Sequence, residues 1–181
     1  MYKMMKKIIS LLRFLLYIKL NKRIKANGIV LLQKNVYLIV EEGGQIMFGK
    51  KVSIKENTII YAKKNSIIII GDNTNTGHNT EISANNYIEI GNDVIMGAYC
   101  YITDSTHGYK DSNIPIRNQP MESGRTIIGN NVWIGRGSMI LKDSKVGNNS
   151  IVAANSVVTK SFDDNFIIGG VPTKIIKSTY D

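Results

Sequence analysis

The chain has one cysteine among 181 residues, so no disulfide can close within it and a reducing compartment is expected. Aromatic residues make up 8% against a hydrophobic content of 43%, which leaves an aliphatic core for a single domain. There are only two histidines, His78 and His107. They cannot supply three imidazoles to one metal within one chain, and no metal is expected. No G-x-x-x-x-G-K-[ST] or G-x-G-x-x-G run occurs, which removes the phosphate-loop and dinucleotide readings. No Ser or Cys carries a local activating motif that would mark it as a nucleophile.

Acidic residues are missing from the first 40 positions, where nine Lys or Arg stand unopposed. From Glu41 to Asp181 the charges balance at 14 basic and 14 acidic, so the net charge of +9 belongs to the N-terminal segment. The body of the protein therefore offers no case for binding nucleic acid. On a helical wheel Met4, Met5, Ile8, Ile9, Leu11, Leu12, Leu15, Leu16 and Ile18 fill about one half, and Lys3, Lys6, Lys7, Ser10, Arg13 and Tyr17 share the other with Phe14. Residues 1–27 are thus expected to form a basic amphipathic helix, followed by a second unit over 28–181. Arg13 breaks the apolar run well short of the roughly 20 residues a bilayer core requires. It also spoils the apolar region of a signal peptide. Two readings stand open for this helix. Residues 1–25 lie on the anionic inner face of a membrane, or the helix covers the open end of a repeat fold.

What the chain has in abundance is a period of six. From Ile128 to Asp163 six hexapeptides follow one another, opened by Ile128, Ile134, Ile140, Val146, Val152 and Val158. Their fifth places hold Val132, Ser138, Ser144, Ser150, Ser156 and Phe162. A helix would scatter those aliphatics around its axis, and Asn and Gly would weaken it throughout. Short strands joined by corners accommodate the pattern, with one inward aliphatic per face and Asn or Gly where the turn needs positive φ. The pattern predicts an all-β fold, a parallel β-helix. The period also runs from Ile70 to Ile82 and from Ile90 to Ile102, which puts Cys100 in an inward small-residue slot as a packed thiol. Between Gly28 and Ser66 it is degenerate, so irregular opening coils are expected there.

The period stops at Asp104 and returns out of phase at Ile128, leaving a long excursion over about 103–127 that holds Pro115 and Pro120. Long loops on a regular solenoid are where binding and chemistry concentrate. His107 stands where this loop leaves the coil. An imidazole suits a general base near neutral pH, the bland alternative being a surface loop histidine. His78, in an outward hexad position, is expected to be a solvent-exposed residue. Asp104, three residues before His107, either orients the ring or holds the turn.

Five segments, taken in order, resemble those of the hexapeptide-repeat acetyltransferases. They are Ile102-Thr-Asp-Ser-Thr-His-Gly-Tyr, Ile114-Pro-Ile-Arg-Asn-Gln-Pro, Ile128-Gly-Asn-Asn-Val-Trp-Ile-Gly, Ala154-Asn-Ser-Val-Val-Thr-Lys and Gly170-Val-Pro-Thr-Lys-Ile-Ile-Lys. The nearest group is that of the galactoside, maltose and capsular or O-antigen polysaccharide O-acetyltransferases. The resemblance implies a left-handed β-helix assembled as a homotrimer, with acetyl-coenzyme A in clefts between subunits and a sugar or glycan hydroxyl as acceptor. His107 matches the family's catalytic histidine. Trp133, Arg136, Ala154, Thr159, Lys160, Pro172, Lys174 and Lys177 match positions that line the coenzyme groove. For Trp133 an aromatic shelf under the loop is the structural alternative. The family reading implies a cytoplasmic protein, at the inner face of the plasma membrane if its helix binds there. A small acceptor, such as a free sugar, an amino sugar nucleotide or serine, and a non-catalytic trimeric scaffold are the competing functions.

Overall fold

The structure, a computed structural model, describes residues 2–180. Helix α1 (Tyr2–Leu20) is followed by a parallel β-helix of triangular section, in agreement with the left-handed form implied by the resemblance. The first face stacks Ile24–Ala26, Gln45–Phe48, Ile67–Ile70, Tyr87–Ile90, Arg125–Ile128 and Lys145–Val146. The third face stacks Tyr37–Val40, Ile59–Ala62, Glu81–Ala84, Tyr101–Thr103, Met139–Ile140 and Val157–Val158. Between them the second face runs from Val30–Leu32 over Val52–Ile54, through single bridges at Asn75, to Ile95–Met96, Trp133–Ile134 and Ile151–Val152. An antiparallel pair, Phe166–Gly170 with Thr173–Ser178, closes that face.

The inward residues alternate along each strand and stack between coils. All six hexad openers are buried, at most 1% exposed, as are Ile46, Ile68, Ile88 and Ile90 on the earlier coils of the first face. Each such aliphatic contributes about 1.5–3 kcal/mol by leaving water. The small slots are polar yet satisfied: Ser138 donates to the Ala153 carbonyl at 2.9 Å and Ser144 to that of Val158 at 3.1 Å. Cys100 is packed in its slot, where burial raises its thiol pKa.

The corners are carried by Asn at positive φ, including Asn35, Asn57, Asn79, Asn131, Asn149 and Asn155. Asn tolerates this region because its short amide bonds locally. These amides also form ladders, Asn35 donating to Asn57 and Asn57 to Asn79, each at 3.0 Å. At another corner coils meet through glycine, where a Cβ on Gly77 would stand 1.8 Å from the Gly97 carbonyl oxygen.

The ladders also measure the coils. Asn35, Asn57 and Asn79 are 22 residues apart, whereas Asn131 and Asn149 are 18 apart and Asn149 and Asn165 are 16 apart. The opening coils are therefore regular, contrary to the expectation of irregular ones. Their period is 22, with strands of three or four residues, and a search at six cannot register it.

Helix α1 lies across the open end of the first coil. Phe14 is buried, with its ring edge-on to that of Phe48 at 5.8 Å between centroids. The Tyr17 hydroxyl donates to the Val36 carbonyl at 3.0 Å, and Ser10 is buried on the same side. The first coil already begins at Ile24–Ala26, inside the 1–27 segment.

Candidate active site

The excursion between Asp104 and Arg125 is not structureless. Ser105–His107 pairs antiparallel with Met121–Ser123, and a 3-10 turn, Ile116–Asn118, sits at the far end. Gln119 ties the loop across itself, its Nε2 donating to the carbonyls of Asp111 and Ile114 at 2.8 Å each. Gly108 donates to the Pro120 carbonyl at 3.1 Å, and a Cβ there would stand 2.5 Å from that oxygen. His107 is thus the last residue of a paired strand, held at a fixed point above the third face.

Asp104 sits fully buried at the root of the excursion. One carboxylate oxygen accepts from the Asn85 amide at 2.7 Å, and the other accepts from Asn86 at 2.7 Å and Tyr87 at 2.6 Å. Its own carbonyl accepts from Gly124 at 2.7 Å. These bonds clamp the point where the chain leaves and rejoins the coil. Of the two readings open for Asp104, the structure favours the turn over orienting His107: both oxygens face backbone amides of the coil below.

Beneath His107 runs a groove of about 800 Å³ along the third face. Its floor comes from the second coil to the sixth: Tyr61, then Glu81 and Ser83, Tyr101, Leu141 and Thr159. Tyr61, Ser83 and Thr103 stand in register on successive coils, as do Glu81 and Tyr101. The excursion supplies the wall, with His107, Tyr109, Met121 and Glu122. His107 is exposed on this wall. At the lower end Tyr61 donates its hydroxyl to Glu41, which also accepts from the Lys64 amide at 2.9 Å. The shared hydrogen bond is the largest cause of a lowered Glu41 pKa and a raised Tyr61 pKa, so the proton stays on the phenol. The Lys63 ammonium lies 5.8 Å from the Tyr61 ring centroid.

Of the residues matched to the coenzyme groove, Thr159 shares this groove with His107. Lys160 follows at the next corner, its ammonium 5.4 Å from the Phe162 ring centroid. Trp133 lies elsewhere. It projects from the second face, half exposed, in a smaller crevice of about 410 Å³ with Ile95, Asn149, Ile151 and Tyr180. It is therefore not a shelf under the excursion within one chain. Arg136 and Ala154 stack at the corner joining the second and third faces, Asn155 donating to the Arg136 carbonyl at 2.8 Å. The Arg136 guanidinium covers the Tyr99 ring at 4.8 Å. Pro172 turns the closing antiparallel pair, and Lys174 and Lys177 stand on its outer strand opposite Gly169 and Ile167. His78 is exposed at a corner, as expected.

The sequence reading missed the groove floor, Tyr61, Lys63, Glu81 and Tyr101. Their signal was the 22-residue and 20-residue register that places them on one face. Among the described residues no group of three or more His, Cys, Asp or Glu side chains is placed to hold a metal ion.

Comparison with known proteins bears on the repeats that carry this groove. The family model for bacterial transferase hexapeptides (six repeats) matches residues 125–160, and that for the hexapeptide repeat of succinyl-transferase matches 67–104. WbbJ of Escherichia coli (strain K12), named for O-acetyl transfer in lipopolysaccharide biosynthesis, is 33% identical over 76% of this chain and 74% of its own. Galactoside O-acetyltransferase of the same organism is 33% identical over 67% of this chain and 59% of its own. Among solved structures, that of the polySia-specific acetyltransferase NeuO superposes with a TM-score of 0.59 at 26% identity, over 86% of this chain and 70% of that one. By repeat, by fold and by kinship across most of its length, the chain belongs to the hexapeptide-repeat acetyltransferase family of acyltransferases.

Proposed function

We propose that the protein transfers an acetyl group from acetyl-coenzyme A to a sugar hydroxyl of a cell-surface polysaccharide or its precursor, with His107 as general base. One observation carries this reading: a paired strand rooted in the Asp104 clamp holds the imidazole over a groove that Thr159 also lines. The O-acetyl transfer in the names of WbbJ and galactoside O-acetyltransferase supports a sugar hydroxyl as acceptor, and the polySia specificity in that of NeuO supports a glycan.

In this mechanism the neutral imidazole takes the proton of the acceptor hydroxyl as its oxygen attacks the thioester carbonyl. The C–O bond forms, the tetrahedral intermediate expels the coenzyme thiolate, and the imidazolium returns the proton to sulfur. The products are an O-acetyl ester and free thiol, with no acyl-enzyme between them. Lys160, Lys174 and Lys177 are suited to the coenzyme's phosphates, while Arg136, Ala154 and Pro172 shape the path leading to them. The active unit is a homotrimer. His107 and Trp133 lie on different faces of one chain, and packing the second face of one subunit beside the third face of its neighbour brings a Trp133 to each His107. The reaction belongs to the cytoplasm, where acetyl-coenzyme A and growing glycans meet.

His107→Ala should lower turnover by about 10²–10⁴-fold, the usual contribution of a general base, while coenzyme affinity by calorimetry stays within about twofold. Undiminished thiol release in this variant would remove His107 from the chemistry. Thiol release measured across polymeric glycans, free sugars, amino sugar nucleotides and serine assigns the acceptor. Activity confined to the last three would replace the polysaccharide with a small molecule.

A further inference from the structure

Helix α1 has two faces, and only one of them is used by the fold. Ser10, Phe14, Tyr17 and Ile18 occupy the side turned to the solenoid. On the opposite half of the wheel Met5, Ile8, Leu12, Leu15, Leu16 and Leu20 are between 45% and 75% exposed, and the contiguous Met4 and Ile9 are exposed beside them. Monomeric soluble surfaces rarely carry so large a continuous aliphatic stripe without an occupant. The fold has already taken the cap it needs from Phe14, so capping does not explain the outer stripe. Charge identifies the occupant. Arg13, Lys19, Lys22 and Lys25 are exposed or rim the stripe, and no acidic residue occurs before Glu41. An aliphatic band edged by cations with no acid nearby matches the headgroup layer of an anionic bilayer. The helix does not cross it, since none among the described residues is long and apolar enough to span a membrane.

We propose that the outer face of α1 docks the protein onto an anionic lipid bilayer with the solenoid standing upright on it. Because α1 lies across the first coil, docking brings the lower end of the third-face groove, at Tyr61 and Lys63 on the second coil, nearest the headgroups. His107 then stands roughly two to three strand spacings farther out, about 10–15 Å at about 4.8 Å each. Resting on the acetyl transfer proposed above, this geometry selects an acceptor glycan carried on a lipid: its sugars enter at Tyr61 while its anchor remains in the bilayer.

Co-sedimentation of the full chain with phosphatidylcholine vesicles, with and without phosphatidylglycerol, tests the docking without any catalytic readout. The expected result is binding to the anionic vesicles at least tenfold tighter than to the neutral ones. It should be lost in Leu12→Glu/Leu16→Glu, which leaves the packed side of α1 intact and the thermal midpoint unchanged. If that variant unfolds, Arg13→Gln/Lys19→Gln serves instead and should weaken anionic binding and its salt dependence. No binding by the wild type, or binding indifferent to both variants, overturns the proposal. So does light scattering in which the Glu variant lowers the particle mass while vesicles bind neither form, since the stripe then joins copies of this protein. In vesicles, a lipid-linked glycan should be acetylated at least tenfold faster than the same glycan free in solution, and equal rates would overturn the choice of acceptor. Vesicle binding that persists in a protein with no transferase activity would sink the proposed reaction and leave the docking standing.

Discussion

The opening coils and the closing coils turn the same three corners with different lengths of chain. An opening coil takes 22 residues and lays three or four on each face, whereas a closing coil takes 18 and lays only two in regular pairing on two faces. The wider section needs larger fillings, and the biggest fully buried side chains include Phe48, Leu32, Ile46 and Ile54, all from the first two coils. The narrower section closes over Ser138, Ser144, Ser150 and Ser156, whose hydroxyls satisfy themselves on backbone carbonyls or amides. A wide core exposes more apolar area at its end, so the opening end carries a helix. The narrow end is finished by a strand pair folded back along the second face. The candidate site gathers where the sizes change: the 20-residue coil ending at Thr103 gives off the excursion, and the 18-residue coils begin once it returns.

Removing the plug tests that difference most severely. Phe14→Ala empties a buried aromatic site against Phe48, and the cost should be about 3–5 kcal/mol in denaturant unfolding. Repeat folds pass stability from neighbour to neighbour, so hydrogen exchange should show the loss concentrated in residues 24–62, with the closing coils protected. A loss spread evenly over all coils would mean that the two ends are one cooperative unit.

A milder change asks whether the corners differ as the faces do. Asn57, in the wide part, has φ of 58° and donates to Asn79; Asn131, in the narrow part, has φ of 54° and donates to Asn149. Alanine at either site must hold a left-handed conformation at about 1–2 kcal/mol; it also loses two rungs at Asn57, which accepts from Asn35 as well, and one at Asn131. Thermal denaturation should show the same conformational cost at both, recovered by glycine because the corner is the shared unit, with Asn57→Ala the costlier by its extra rung. A cost at Asn131 well above that at Asn57 would show the narrow coil to be the more strained.

Legibility followed the same division. The closing coils were readable residue by residue because 18 is three sixes: every opener from Ile128 to Val158 and every small slot from Val132 to Phe162 points inward as the hexads require. The opening coils were regular all along, yet a 22-residue turn shifts each aliphatic against a period of six, so Ile24, Ile46 and Ile68 fell into register unseen. His107 was conspicuous because it broke a strong repeat. Asp104 resisted assignment because a carboxylate three residues from an imidazole has the same spelling whether it faces the ring or three amides of another coil. Trp133 and His107 sit together in the motif order but on separate faces of the triangle, a distinction that sequence spacing does not encode. The division of α1 was hidden too: the wheel displays an apolar half, and only the position of Phe14 shows that the packed side is the other half.

The smallest effect concerns the last rung of a second ladder. Asn92, Asn130 and Asn148 each accept, through the side-chain oxygen, the backbone amide of the coil below at 2.7–2.8 Å, and Asp164 does the same for Asn148 at 2.8 Å. Its other oxygen accepts from the Asn148 side chain at 3.0 Å, and these two bonds, the side-chain one first, hold the Asp164 carboxyl below its ordinary pKa. A carboxylate depressed in the folded state contributes stability that is complete above its unfolded pKa and disappears as pH falls through the folded one. Asp164→Ala should therefore lie slightly below wild type in urea midpoint at neutral pH, with the gap closing as pH drops beneath the usual aspartate range of about 4. The gap for Asn57→Ala should stay constant over the same range, since no group there titrates. If the two gaps run parallel down to the acid limit, the closing rung is held by shape alone, and its charge adds nothing to what asparagine provides in the coils beneath it.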